Sequence, residues 1–132
     1  MMFFIKILCL MLPLSFFASQ SAFEQMQEQA IKEKKLFLIS IEKEQCPYCL
    51  KMQQDVFTHP RFKEFIHDKF LHLAILNTDI ALPKSLKAKY FPTTFIVKPD
   101  DLTIIDEFAG YMNLENSLEL LDEVYLQSKA KP

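Results

Sequence analysis

The chain has 132 residues, of which half are apolar and thirteen are Phe, so it is long enough for one domain with a single core. The formal charge of −2 is small, and the absence of a basic patch with interleaved aromatic residues argues against nucleic-acid binding. A single Gly argues against a flexible, low-complexity chain.

The first 21 residues are typical of an export signal. Lys6 lies in a short amino-terminal segment, an apolar run follows, and the small residues Ser21 and Ala22 offer a cleavage site. We therefore predict a signal peptide at 1–21, a single folded domain at 22–132 and a periplasmic location. The alternative is an uncleaved membrane anchor that faces the periplasm, although the run is shorter than the about 20 apolar residues that a span needs.

A helix is predicted at 22–34 because its apolar residues follow the helical period. The continuous apolar run at 36–41 is typical of a strand buried on both faces, and good helix formers follow at 50–57. Pro47 suits a first helical turn because it has no N–H to leave unpaired. The residues between 41 and 50, which include Pro47, are therefore predicted to form the junction between this strand and this helix.

Two of the three cysteines, Cys46 and Cys49, lie at this junction, and the third, Cys9, lies within the predicted signal. Without another cysteine to form a structural disulfide in an oxidising compartment, this pair is expected to cycle between dithiol and disulfide. At the positive end of the helix dipole, Cys46 should ionise readily and be the exposed nucleophile. Cys49, one turn later, should be the buried resolving thiol.

The remaining elements alternate between helices and strands. They are predicted as a helix at 60–68 capped by Thr58, a strand at 70–76, a short helix from Pro83 to Tyr90 with Leu86 and Tyr90 turned inward, antiparallel strands at 91–97 and 102–109, and a last helix capped by Asn113 that frays from Ser128. A βαβ half followed by a ββα half gives an α/β fold with a central four-stranded mixed sheet and helices on both faces.

Three landmarks resemble the thioredoxin family. Cys46-Pro47-Tyr48-Cys49 follows a buried strand, Phe91-Pro92-Thr93 matches the family's cis-proline loop, and Phe108-Ala109-Gly110-Tyr111 precedes the last helix, as in exported thioredoxin-like proteins. The resemblance extends over about 22–126. It implies a thioredoxin fold and thiol–disulfide oxidoreductase activity on the cysteines of exported proteins.

The resemblance also implies a mechanism. Cys46 would attack a substrate disulfide, and Cys49 would resolve the mixed disulfide. No organic cofactor is expected, because the Cys46–Cys49 disulfide is itself the redox group. The expected partners are cysteine-containing exported proteins and a membrane redox protein that resets the dithiol. We expect a monomer, since no dimerisation segment is evident, and family analogy favours a reducing role over an oxidising one.

The implied substrate-binding residues surround the cysteine pair. Phe91 would offer its backbone to an extended substrate, which would add as a strand. Pro92 would follow a cis peptide bond and lie against the dithiol, where it would keep metals out. Pro47, Tyr48 and Thr93 complete the predicted substrate-binding set.

Two positions depart from the family pattern. Ser40 stands where thioredoxins commonly carry a buried carboxylate that aids proton transfer, and Gln45 stands where an aromatic residue usually precedes the dithiol. Proton transfer would therefore rely on water or on the nearby Glu42 or Glu44.

Other functions of a cysteine pair stay open. Structural zinc needs four ligands, and His59, His67 and His72 are scattered along the chain, so no metal site is predicted. Copper(I) can bind two thiolates, so a periplasmic copper(I) carrier is an alternative, although Met52 on the same helix is expected to be a core residue. A non-catalytic binding module on the same fold is the third hypothesis.

Overall fold

The computed structural model describes residues 19–130, so residues 1–18 of the predicted signal peptide lie outside the described part of the chain. The elements in chain order are α1 (Ala22–Glu33), β1 (Leu36–Glu42), α2 (Pro47–Met52), α3 (Pro60–Ile66), β2 (Phe70–Leu76), β3 (Thr93–Val97), β4 (Ile104–Ala109) and α4 (Leu114–Ala130). A π-helical turn at Gln53–Phe57 extends α2, and a 3₁₀ turn at Lys84–Leu86 lies between β2 and β3.

The four strands form one mixed sheet in the order β2-β1-β3-β4. β1 is parallel to β2 and antiparallel to β3, and β3 is antiparallel to β4. Because β1 has a strand on each side and its five inner residues are buried, it needs an apolar side chain at nearly every position. The predicted four-stranded mixed sheet is confirmed.

Alternate residues of β1 supply the two faces of the core. Phe37, Ile39 and Ile41 belong to the cluster that contains Phe23 and Ala30 of α1. Leu38 belongs to the other cluster, which is built from α2, α3 and α4 through side chains such as Met52, Phe62 and Leu121. Helices therefore cover both faces of the sheet, as predicted. None of the helices within residues 19–130 is long and apolar enough to cross a membrane.

The predicted cap of α3 is wrong by one residue. The Thr58 hydroxyl donates back to the Gln53 carbonyl oxygen at 2.9 Å and does not cap α3. His59 is the cap, because its Nδ1 accepts the Arg61 N–H at 3.1 Å. Pro60 takes the first helical position, where its missing N–H costs nothing, so α3 begins at residue 60 as predicted and only its capping residue differs.

The predicted helix from Pro83 to Tyr90 is also wrong. It shrinks to the 3₁₀ turn at Lys84–Leu86, since the backbone of Lys87 is already extended. Leu86 is fully buried as predicted, but Tyr90 is 68% exposed. The inward position predicted for Tyr90 depended on a helical spacing of four residues from Leu86, and that spacing has no meaning once the helix has ended.

Two strands begin two residues later than predicted. β3 begins at Thr93, after Pro92, which has no N–H for the strand ladder. β4 begins at Ile104 because Leu102 has a positive φ of 60°, which is incompatible with extended backbone.

The last helix is capped as predicted. The Asn113 side-chain oxygen accepts the Asn116 N–H at 2.9 Å, and the Asn113 carbonyl accepts the Ser117 N–H at 2.9 Å. The predicted fraying from Ser128 is wrong as far as the structure describes the chain, because α4 continues to Ala130.

Candidate active site

The two cysteines lie at the junction of β1 and α2, where the sequence predicts them. Cys46 is the residue that precedes α2, and Pro47 is the first residue of that helix. Cys46 and Cys49 form a disulfide with a Cα–Cα distance of 5.2 Å. The residues between them therefore form one helical turn that holds the two sulfur atoms together.

The sulfur of Cys46 caps α2. Its Sγ accepts the Cys49 N–H at 3.1 Å, in the way that a Ser or Asp oxygen accepts a first-turn N–H at other helix starts. A thiolate at this position keeps that hydrogen bond and also interacts with the positive end of the helix. The site thus favours the anionic, nucleophilic form of Cys46.

The two cysteines differ in exposure. Cys49 is 5% exposed, whereas Cys46 is half-buried and Tyr48, between them, is 62% exposed. An incoming disulfide can therefore reach the sulfur of Cys46 more easily than that of Cys49. This is the difference expected between a nucleophile and a resolving thiol.

The Phe91–Pro92 loop lies directly beside the disulfide. The peptide bond between Phe91 and Pro92 is cis, as predicted. The Phe91 carbonyl oxygen is 3.8 Å from the Cys46 Sγ. This proximity follows from the sheet, because β1 and β3 are antiparallel neighbours with Ile41 opposite Thr93. The end of β1, which leads to the cysteines, therefore meets the start of β3.

Hydrogen bonds hold this loop from both sides. The Pro92 carbonyl accepts the Gly110 N–H at 2.6 Å, and the Thr93 hydroxyl donates to the Tyr90 carbonyl at 2.6 Å. Gly110 has a φ of +85°, a conformation that side chains with a Cβ rarely adopt. The Gly110 backbone thus holds the Pro92 carbonyl in place, and the buried Thr93 side chain holds the Tyr90 carbonyl at the start of the loop.

An open cavity of about 530 Å³ borders the disulfide. Its walls come from the end of β1 and the start of α2, and they consist of Glu42, Lys43, Gln45, Cys46, Pro47, Cys49, Leu50 and Gln53. Of the predicted substrate-binding residues, Pro47 lines this cavity, whereas Phe91 does not line it but has its carbonyl oxygen 3.8 Å from the Cys46 sulfur. Both carboxylates considered for proton transfer are near the junction, but Glu42 lines the cavity whereas Glu44 is exposed and does not.

A buried polar cluster occupies the position where a carboxylate is usual in the family. The hydroxyl of Ser40 is 3.0 Å from the Nε2 of His72 and 3.5 Å from the hydroxyl of Thr94. The His72 ring packs against Phe57 and Phe62, with centroid distances of 4.3 and 5.8 Å. Burial lowers the pKa of His72 to about 4, so this imidazole is neutral at pH 7.

The contact between Ser40 and His72 is not predicted by the sequence analysis. The signal that could have done so is the parallel register of β1 and β2, in which Leu38 lies opposite His72 and Ser40 opposite Ala74. Side chains two residues apart on a strand share a face, so Ser40 and His72 lie on the same face of adjacent strands.

The described side chains can be compared with what a zinc site requires and with the position predicted for Met52. Within residues 19–130, no group of three or more His, Cys, Asp or Glu side chains is arranged to hold a metal ion. Met52 is fully buried and its sulfur accepts the Met112 N–H at 3.5 Å. The prediction that Met52 is a core residue is confirmed.

Comparison with known proteins places this site in a family context. The model of the thioredoxin-like domain family matches residues 23–125. No curated protein sequence matches the chain. The reduced C-terminal domain of Neisseria meningitidis DsbD is similar in structure, with a TM-score of 0.62, 18% identity, and coverage of 80% of this chain and 96% of that domain.

Two thioredoxins are similar as well. A thioredoxin from Thermus thermophilus matches with a TM-score of 0.67 and 16% identity, over 81% of this chain and 86% of that one. The reduced periplasmic thioredoxin SoxS from Paracoccus pantotrophus matches with a TM-score of 0.58 and 16% identity, over 71% of this chain and 99% of that one. At these identities the similarity establishes the shared fold.

Proposed function

Because the chain belongs to the thioredoxin-like family and is a thiol–disulfide oxidoreductase, we propose that it reduces disulfides in exported proteins. The observation that carries the proposal is the Cys46 sulfur, which caps a helix, forms a disulfide with Cys49 and lies beside the cis Phe91–Pro92 bond. This arrangement supplies a stabilised thiolate, a second thiol within bonding distance and a backbone edge for the substrate.

The proposed reaction has two displacement steps. In the reduced protein, the Cys46 thiolate attacks one sulfur of a substrate disulfide and expels the other as a thiolate. Cys49 then attacks the Cys46 sulfur, which forms the intramolecular disulfide and releases the second substrate thiol. The substrate gains two electrons and two protons, and the protein loses them. The redox-active disulfide is the only redox group that this cycle needs, so we propose no other cofactor.

Substrates are proposed to bind in an extended conformation along Phe91. The Phe91 carbonyl is close to the Cys46 sulfur, so a strand that pairs with this backbone would carry its cysteine to the nucleophile. The exposed side chains of Tyr48, Leu50 and Tyr90 offer apolar contact area near the site. Such contacts suit partly unfolded or flexible protein segments more than a single small molecule.

The proposed location is the periplasm, and the proposed partners are exported proteins with cysteines. The predicted signal at 1–21 supports this, as does the similarity to SoxS, which is a periplasmic thioredoxin. A membrane redox protein is proposed to return electrons to the Cys46–Cys49 pair, and the chain is proposed to act as a monomer. Anchorage in the membrane by an uncleaved signal is the alternative.

The reduction potential of the Cys46–Cys49 pair tests the proposed direction. The mature chain is equilibrated with glutathione buffers of defined potential, and the reduced fraction is measured by alkylation and mass spectrometry. A reductant should have a potential near the about −270 mV of thioredoxin, whereas a strong oxidant is near about −120 mV. A value close to −120 mV would contradict the reducing role.

A further inference from the structure

The segment that precedes Pro92 is basic, although the protein as a whole is not. Residues 80–99 contain four lysines and no acidic residue, whereas the formal charge of the whole chain is −2. Three of these lysines lie within the eight residues before Pro92, and they are Lys84, Lys87 and Lys89. The positive charge is therefore concentrated beside one particular loop, where it creates a local positive potential.

These three lysines are not neutralised by ion pairs within residues 19–130. Lys84, Lys87 and Lys89 are exposed, and the ion pairs found in the described part of the chain all join other side chains. An exposed lysine is commonly no more than a solvated side chain. Its distance from the reacting sulfur therefore decides whether its charge can contribute to substrate binding.

The lysines nearest to Pro92 are close to the disulfide. Lys87 and Lys89 line a cavity of about 430 Å³ together with Tyr90. The next residue, Phe91, has its carbonyl oxygen 3.8 Å from the Cys46 Sγ. Since consecutive Cα atoms are about 3.8 Å apart, the Cα of Lys89 is within about 8 Å of that of Phe91. This is comparable to the Debye length of about 8 Å at physiological ionic strength, so the lysine charge acts on a chain bound at Phe91.

The backbone before the loop leaves room for a substrate that extends beyond Phe91. The backbone of Lys87 is extended, and residues 87–92 belong to none of the described helices or strands. A substrate strand that pairs with Phe91 can therefore continue alongside this segment. Lys87 and Lys89 border the same cavity, so both charges are offered to the same stretch of substrate.

The other charged residues around the site do not cancel this excess. Glu107 of β4 is the acidic residue that lines the same cavity, so two lysines face one carboxylate there. The separate cavity that borders Cys46 contains one charge of each sign, from Glu42 and Lys43. The excess of positive charge beside the site therefore comes from the segment before Pro92.

We propose that Lys87 and Lys89, with Lys84 acting at longer range, make the protein prefer disulfides that lie in acidic polypeptide segments. The proposal rests on the function proposed above and names the class of substrate for the same site. Asp and Glu side chains that flank the substrate cysteine lie beside the lysine ammonium groups while the cysteine sulfur meets Cys46. The attraction between them speeds association with acidic segments and slows association with basic ones.

Three cyclic peptides that differ only in charge test this preference. Each contains one disulfide, and the residues that flank its cysteines are Asp in the first peptide, Asn in the second and Lys in the third. The reduced mature protein is mixed with each peptide, and the rate constant of peptide reduction is measured by acid quench and mass spectrometry. Each rate constant is divided by that for reduction of the same peptide by dithiothreitol, which removes differences in intrinsic reactivity.

With the wild type, the Asp peptide should react faster than the Asn peptide, and the Lys peptide should react more slowly. Because exposed charge pairs contribute little individually, we expect a preference for Asp over Asn of about three- to tenfold. This holds at about 0.01 M salt, where the Debye length is about 30 Å. At about 1 M salt the Debye length falls to about 3 Å, so the three rates should converge.

Variants of the two lysines assign the preference to this segment. The double variant Lys87→Gln and Lys89→Gln should bring the ratio of the Asp-peptide rate to the Asn-peptide rate close to one, and Lys87→Glu with Lys89→Glu should invert it. The ratio is the readout because a change in the reactivity of Cys46 affects both peptides alike.

The matched control is the double variant Lys32→Gln and Lys129→Gln. It removes the same charge from two exposed lysines in the last turns of α1 and α4. Lys129 lines a cavity with Leu36, at the start of β1, whereas the cysteines follow the end of that strand. The control should therefore keep the wild-type ratio.

Equal rates for the Asp and Asn peptides with the wild type at low salt would overturn the proposal, and this readout does not depend on the folding of a variant. A wild-type ratio in the Lys87 and Lys89 variants, or an equal loss of the preference in the control, would also overturn it. Failure of the wild type to reduce even the Asn peptide would instead contradict the proposed function, so the two failures are distinguishable.

Discussion

At the scale of single residues, His72 is the buried group with the clearest consequence for stability. Its ring is enclosed by Phe57 and Phe62 and contacts the Ser40 hydroxyl, and burial lowers its pKa from 6.5 to about 4. Between these two values the unfolded chain binds a proton that the folded chain excludes. The stabilisation from neutral His72 is therefore complete above pH 6.5 and is lost as the pH falls towards 4.

The lowered pKa of His72 predicts a loss of stability in acid that is caused by protonation of this one side chain. Between pH 7 and pH 4, the free energy of unfolding should fall by up to about 3 kcal/mol because of His72, at about 1.4 kcal/mol per unit of pKa shift. Urea unfolding at several pH values measures it. In His72→Gln this part of the decrease should disappear, whereas His67→Gln, which changes an exposed histidine, should keep the wild-type profile. Parallel profiles for the wild type and His72→Gln would contradict the prediction.

The functional residues that stand in a local sequence motif could be predicted from the sequence. The contacts that depend on tertiary packing could not. The spacing of Cys46 and Cys49 and the position of Pro92 are visible in the chain itself. The contact between Ser40 and His72 depends on the register of two parallel strands that are far apart in sequence. The burial of the Glu42 oxygen depends on how β1 ends against α2, which no local pattern encodes.

At the scale of elements, strands with continuous apolar runs were the most predictable. β1 and β2 are found where their runs predict them, and β2 has the predicted bounds, Phe70–Leu76. The segment between β2 and β3 was not predictable, because its helical spacing gives way to an extended backbone at Lys87. That segment has to bring Phe91 to the start of β3 beside the cysteines, and this tertiary requirement outweighs a short local pattern.

The cap of α4 gives a prediction at this scale. Asn113→Ala removes the side-chain oxygen that accepts the Asn116 N–H, which should lower the free energy of unfolding by about 1 kcal/mol. Urea unfolding of the oxidised protein measures the change. Asn116→Ala is the control, since Asn116 is exposed within the first turn and Ala is the better helix former. Equal stability of Asn113→Ala and the wild type would show that the cap contributes nothing.

At the scale of the whole molecule, the sheet order explains why three separate sequence landmarks form one site. β1 and β3 are antiparallel neighbours, so the end of β1 and the start of β3 lie at the same edge of the sheet. β4 pairs with β3 such that Ala109 lies opposite Thr93, which brings Gly110 to the Pro92 carbonyl. The cysteines, the proline loop and the glycine turn thus converge although about 60 residues separate the first from the last.

The most direct test of the division of labour between the two cysteines is to trap the mixed disulfide. Reduced Cys49→Ser is incubated with a disulfide-containing peptide, and intact mass is measured under non-reducing conditions. We predict a stable one-to-one adduct through Cys46 in Cys49→Ser, no adduct in Cys46→Ser, and complete turnover without adduct in the wild type. An adduct that forms equally well in Cys46→Ser, or none in Cys49→Ser, would contradict the assignment of Cys46 as the nucleophile.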